Sequence, residues 1–119
     1  MRFGVYVNMV FFLGMGLLAI ISPSRLAEIV HFSLPDSVAR NEVRAVYGGF
    51  GLAIAGMLVI ALRLPAYRDG VVLCIGVALL GMAFGRLVSF AVDGSSRRAF
   101  GFFFLEVSLA TLLLTTLPE

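Results

Sequence analysis

The chain has 119 residues, 61% of them hydrophobic and 13% charged, with nine basic and seven acidic side chains and a net charge of +2. A mean hydropathy of +1.05 excludes an ordinary soluble domain, because a chain this short has no core large enough to hide so much apolar surface. All nine basic residues are arginines with no run beyond Arg97-Arg98, which excludes a nucleic-acid footprint.

Four apolar runs follow in chain order, at 3–22, 43–62, 71–92 and 99–117. Each has about 20 residues, enough to cross a hydrocarbon core of about 30 Å, and each must be helical because lipid offers backbone amides no partner. The predicted fold is therefore all-α: a single domain, 1–119, built as an integral membrane bundle of four transmembrane helices. The first run exceeds the 7–15 apolar residues typical of a signal peptide, and no A-x-A site follows, so it reads as an uncut helix. Ser22-Pro23 ends it. Between the first two runs, Leu26, Ile29, Val30 and Leu34 alternate with Arg25, Glu28 and Asp36 in a helical pattern. Ser24 is placed to cap a short amphipathic interfacial helix there and Pro35 to stop it. Leu64-Pro65 follows the second run, Asp93-Gly94 the third and Pro118 the fourth. The connections at 63–70 and 93–98 are short, so consecutive helices are expected to be antiparallel neighbours. Arg25, Arg40, Arg97 and Arg98 fall on one membrane side, Arg2, Arg63 and Arg68 on the other. Counting and the first-helix flank point opposite ways, and both topologies stay open.

Three ionisable residues interrupt the runs: Arg44, Arg86 and Glu106. Arg86 lies about 9 Å and Glu106 about 10 Å from the same end of their spans, and Arg44 enters from that end. Charges in lipid turn inward and pair, and Arg86 with Glu106 is the expected pair. On the third helix Arg86, Ser89 and Asp93 share a face; on the second, Arg40, Arg44, Tyr47, Gly48, Gly51 and Ala55 form a stripe. An anion or head group is expected at Arg44, Tyr47, Arg86, Ser89 and Glu106, with Arg40, Glu42 and Asp93 in support. The bland reading makes the ion pair a pin that fixes helix register. Gly81 and Gly85 form G-x-x-x-G, while Gly49/Ala53 and Gly51/Ala55 are small-residue pairs. Gly48, Gly51, Gly81 and Gly85 are the expected helix-packing positions, within the bundle rather than between copies.

No metal or cofactor is expected. Cys74 is the only cysteine, and Glu28-x-x-His31 occurs once, outside the spans, whereas di-iron bundles need two copies. No Ser/His/Asp or Cys/His set is available, so the enzyme question leans to no.

Arg40-Asn41-Glu42-Val43-Arg44-Ala45-Val46-Tyr47-Gly48-Gly49 and Gly85-Arg86-Leu87-Val88-Ser89 with Asp93-Gly94 resemble the two signatures of a bacterial family of small four-helix membrane proteins, domain of unknown function 4345. The resemblance covers nearly the whole chain. It implies a four-span bundle in a bacterial inner (cytoplasmic) membrane and no particular activity. It also implies signature roles for Arg44, Tyr47, Arg86, Ser89 and Asp93; Glu106 rests on depth alone. Three functions remain in play. One is a non-catalytic accessory or self-associating module, in a homo-oligomer or a larger membrane complex. Another is a binder or modifier of an anionic lipid or amphipathic molecule, and the third is an oligomeric transporter with Glu106 as its coupling residue.

Overall fold

The structure is a computed structural model and describes residues 2–31, 33–94 and 96–118. It is all-α, with no strand among the described residues. Helix α1 spans Phe3–Ile21, α2 Pro23–Val30 and α3 Ser37–Val43; a π-helical turn covers Arg44–Gly49; α4 spans Phe50–Arg63, α5 Pro65–Asp93 and α6 Arg97–Leu114. Helix α3, the π turn and α4 form one continuous rod, Ser37–Arg63. Three helices are long and apolar enough to cross a membrane: α1, this rod and α5, of 19, 27 and 29 residues. The fourth predicted run is the 18-residue α6, which carries Arg97, Arg98 and Glu106 and is not among these three.

Proline sets both helix joins, in different ways from those expected. Pro23 begins α2 at its first turn, so Ser22 takes the cap position with extended φ −140°, as a residue before proline prefers. Ser24 therefore lies inside the helix rather than capping it. Helix α2 ends at His31, whose left-handed backbone (φ 68°) lets its N–H reach the Ala27 carbonyl, four positions before the expected stop at Pro35. Pro65 likewise opens α5 at its first turn, where a missing N–H costs nothing. The predicted connection 63–70 thus shrinks to Leu64. The second span starts earlier than position 43 because the Asp36 side chain accepts from the Ala39 N–H at 2.9 Å and caps α3. Helix α5 stops at Gly94, whose φ of 82° suits only glycine, and Ser96 caps α6 by accepting from the Ala99 N–H. Helix α6 ends at Leu114 rather than 117, in a turn where Thr116 N–H bonds the Leu113 carbonyl.

The chain divides into two compact units, Asn8–Val59 and Met1–Val7 with Ile60–Glu119. In the first, Ala19, Leu26 and Val43 form a buried cluster, packed over by Met15, Leu18, Leu34 and Tyr47. Helix α1 and the rod approach closely through glycines: a Cβ on Gly16 would sit 2.8 Å from the Leu52 amide nitrogen, and one on Gly51 would sit 3.2 Å from the Phe12 carbonyl. In the second unit α5 packs against α6, and Val72 and Leu113 are fully buried. Gly76 admits the Leu114 side chain, to which a Cβ there would come within 2.6 Å.

The π turn changes what the second rod presents. Its buried positions are Val43, Gly48, Gly51, Ala55, Leu58 and Ala61, spaced five, three, four, three and three residues apart. The step of five is the extra residue a π turn inserts. It splits the predicted stripe Arg40–Arg44–Tyr47–Gly48–Gly51–Ala55: Arg44 is exposed and Tyr47 half-buried, while Gly48 and those after it turn inward.

Candidate functional site

Helices α5 and α6 are joined by three residues, so they form a hairpin. Phe90 stacks on Phe100 with centroids 5.5 Å apart and Gly76 meets Leu114, so falling numbers on α5 face rising numbers on α6. That antiparallel register brings Arg86 opposite Glu106. Arg86 donates from Nε to Oε1 of Glu106 at 2.7 Å and from Nη2 to Oε2 at 2.7 Å. This is the bidentate fork geometry in which guanidinium and carboxylate bind most strongly.

Glu106 is buried and Arg86 is not: their side chains are 7% and 32% exposed. The Arg86 guanidinium carbon also lies 5.1 Å from the centre of the Phe102 ring, a distance at which cation and aromatic face attract by about 0.5–2 kcal/mol. Phe102 is one helical turn before Glu106, so α6 supplies both contacts from one face. Phe90, Phe100, Phe103 and Phe104 cluster around the turn end of the hairpin. Beside the pair an open pocket of about 360 Å³ is lined by Met82, Gly85, Arg86, Ser89, Phe90 and Ala99. Ser89 is exposed, and Asp93, the last residue of α5, is exposed as well.

The remaining predicted residues belong to the unit Asn8–Val59. Arg44 donates from Nε to the Ile20 carbonyl at 3.2 Å, in the last turn of α1. The α1–α2 break deprives this turn of its normal amide partners, and a cation at a helix C-terminus also suits the helix dipole. Arg68 does the same for the other join. Its Nε reaches the Ala61 carbonyl at 3.1 Å, replacing the donor that Pro65, four residues after Ala61, cannot supply. Glu42 and Tyr47 line a second, mostly apolar pocket of about 390 Å³ with Ser33, Leu34, Ala39, Val43 and Val46. Arg40 is half-buried on α3.

The glycines expected to pack divide in the same way. Gly48 and Gly51 are buried against α1. Gly81 and Gly85 are exposed, with nothing within 4 Å of a Cβ built on either, so they take no part in the packing of α5 on α6. Two features went unread in the sequence. Asn8 is a fully buried amide in α1, and its place in an apolar run was the available signal. Phe102 could have been read from its i, i+4 spacing to Glu106.

Fold and site define an all-α protein with helices long and apolar enough for a membrane and a bidentate ion pair between α5 and α6. The chain belongs to the family described as Domain of unknown function (DUF4345), whose family model matches residues 1–117. Neither a curated protein nor a solved structure matches it.

Proposed function

We propose that this chain is a non-catalytic, multi-pass module of a bacterial cytoplasmic membrane that associates with a second copy of itself through α5. The observation that carries this reading is the outward row Cys74, Ala78, Gly81 and Gly85, all exposed and spaced four, three and four residues along one face. Small residues at this spacing let two helix backbones approach closely in lipid, where packing rather than hydrophobicity drives association. The row carries no charge, so it is self-complementary.

Helix α6 is the fourth crossing. Its one mid-helix charge, Glu106, is neutralised by Arg86, which lowers the cost of placing it in hydrocarbon. The hydroxyls of Thr111, Thr115 and Thr116 all donate to backbone carbonyls of the same segment, so they too can leave water. Arg97 and Arg98, in the first turn, reach the head-group region, and α2 lies along the interface with Leu26 and Ala27 inward.

Oxidative crosslinking in native membranes tests self-association. Ala78→Cys in a Cys74→Ala background should give a disulfide-linked dimer, and a cysteine at Val77 on the neighbouring face should give much less. A monomer band alone, or equal crosslinking at both positions, would contradict the reading. A crosslink to a different protein would make the chain an accessory subunit instead. Cysteines at Ser96 and Leu117, labelled by an impermeant maleimide from one side at a time, should react from opposite sides if α6 crosses.

A further inference from the structure

The pocket beside the ion pair has a chemistry of its own. Its lining offers one guanidinium, from Arg86, and one hydroxyl, from Ser89; the rest is Met82, Gly85, Phe90 and Ala99. The Arg86 guanidinium, a rigid plane of N–H donors, binds Glu106 through Nε and Nη2 and also lines the pocket. Glu106 is 5% exposed, so a buried carboxylate on one edge and the Phe102 ring on one face fix the orientation of an arginine that still reaches the pocket. Ser89 follows three residues later, on the same wall.

A fixed guanidinium beside a hydroxyl matches phosphate oxygens, which accept hydrogen bonds from both. The apolar remainder suits the carbons next to a phosphate. Depth agrees: Arg86 is seven residues from the end of α5, or about 10 Å, and Ser89 about 6 Å, the level of lipid head groups for a helix that crosses. Charge agrees too. At this end of the hairpin three arginines, Arg86, Arg97 and Arg98, stand against two carboxylates, Asp93 and Glu106.

We propose that this pocket binds the phosphodiester head group of an anionic phospholipid, with Arg86 and Ser89 donating to its phosphate oxygens and Met82 and Phe90 against its first carbons. The pocket shares Gly85 with the outward row of α5, whereas Ala78 and Gly81, where self-association is tested, are not part of its lining.

The test is native mass spectrometry of the full chain in mild detergent, with phosphatidylglycerol, phosphatidylcholine or inorganic phosphate added. Phosphatidylglycerol should be retained at collision energies that strip phosphatidylcholine. Ser89→Ala, at an exposed position, should lower its occupancy about tenfold, the effect of one hydrogen bond to a charged group. Arg86→Ala alone would leave Glu106 buried without its partner and risk misfolding. The double variant Arg86→Met/Glu106→Leu removes the pair together, which interiors tolerate, and should melt like the parent while losing the lipid. A double variant that folds and retains phosphatidylglycerol overturns the proposal, as does equal retention of the two lipids or an unchanged Ser89→Ala. Displacement of the lipid by millimolar phosphate would keep the phosphate chemistry and make the free anion the ligand.

Discussion

In the unit Asn8–Val59, Gly51 and Ala55 are buried, Gly51 against α1, where even a methyl group on it would press on the Phe12 carbonyl. In the other unit, Gly81 and Gly85 have the same four-residue spacing and face outward with nothing near them. The arginines divide in parallel. Arg44 turns its guanidinium to a backbone carbonyl left open by a helix break, whereas Arg86 binds a buried carboxylate and borders a pocket. A residue pattern therefore names a capability, here close approach or anion binding, and the surroundings decide whether the fold itself consumes it. What the fold consumes in the first unit is left open to the outside in the second.

The contrast can be broken in order of expected effect. Arg86→Ala strands the Glu106 carboxylate and should destabilise the chain by about 3–5 kcal/mol, read as a lower melting temperature in detergent; restoration by Glu106→Leu in the same chain would show that the stranded charge is the cause. Gly51→Leu overpacks the contact with α1 and should cost about 1–3 kcal/mol. Gly81→Leu in the outward row should leave the melting temperature level or raise it, since leucine gains about 0.8–1 kcal/mol over glycine in a helix. If both leucines destabilise alike, Gly81 is not an open position. Smaller effects are expected at the joins. Arg68→Ala should cost about 1–2 kcal/mol, because Pro65 leaves the Ala61 carbonyl no other helical donor, and Arg44→Ala, at an exposed bond, about 1 kcal/mol or less. Hydrogen exchange around each join would rank the two.

Much of this was legible in the residues. The apolar runs placed every long helix, Asp93-Gly94 ended α5 where read, and matched depth picked out Arg86 with Glu106. The misreadings have physical causes. Proline serves equally as the end of one helix and the first residue of the next, so Leu64-Pro65 suggested a loop where the structure has one residue. No propensity marks an inserted residue, so the π turn at Arg44–Gly49 was invisible and the Arg40-to-Ala55 stripe was drawn on an α-helical wheel that the chain does not follow. The exposure of Gly81 and Gly85 could not be read either. A helix apolar all round has no polar face to show which side meets protein, and α5 is apolar on both sides over most of its length.

The central claim is that the outward small-residue row of α5 is a contact between copies, and the most direct measurement is energy transfer between donor- and acceptor-labelled chains in vesicles, titrated by lipid dilution. Wild-type transfer should persist on dilution, and Ala78→Leu/Gly81→Leu should shift the curve to at least about tenfold higher protein-to-lipid ratio, the equivalent of about 1.4 kcal/mol, with melting unchanged. Superimposable curves for the two proteins would contradict the claim.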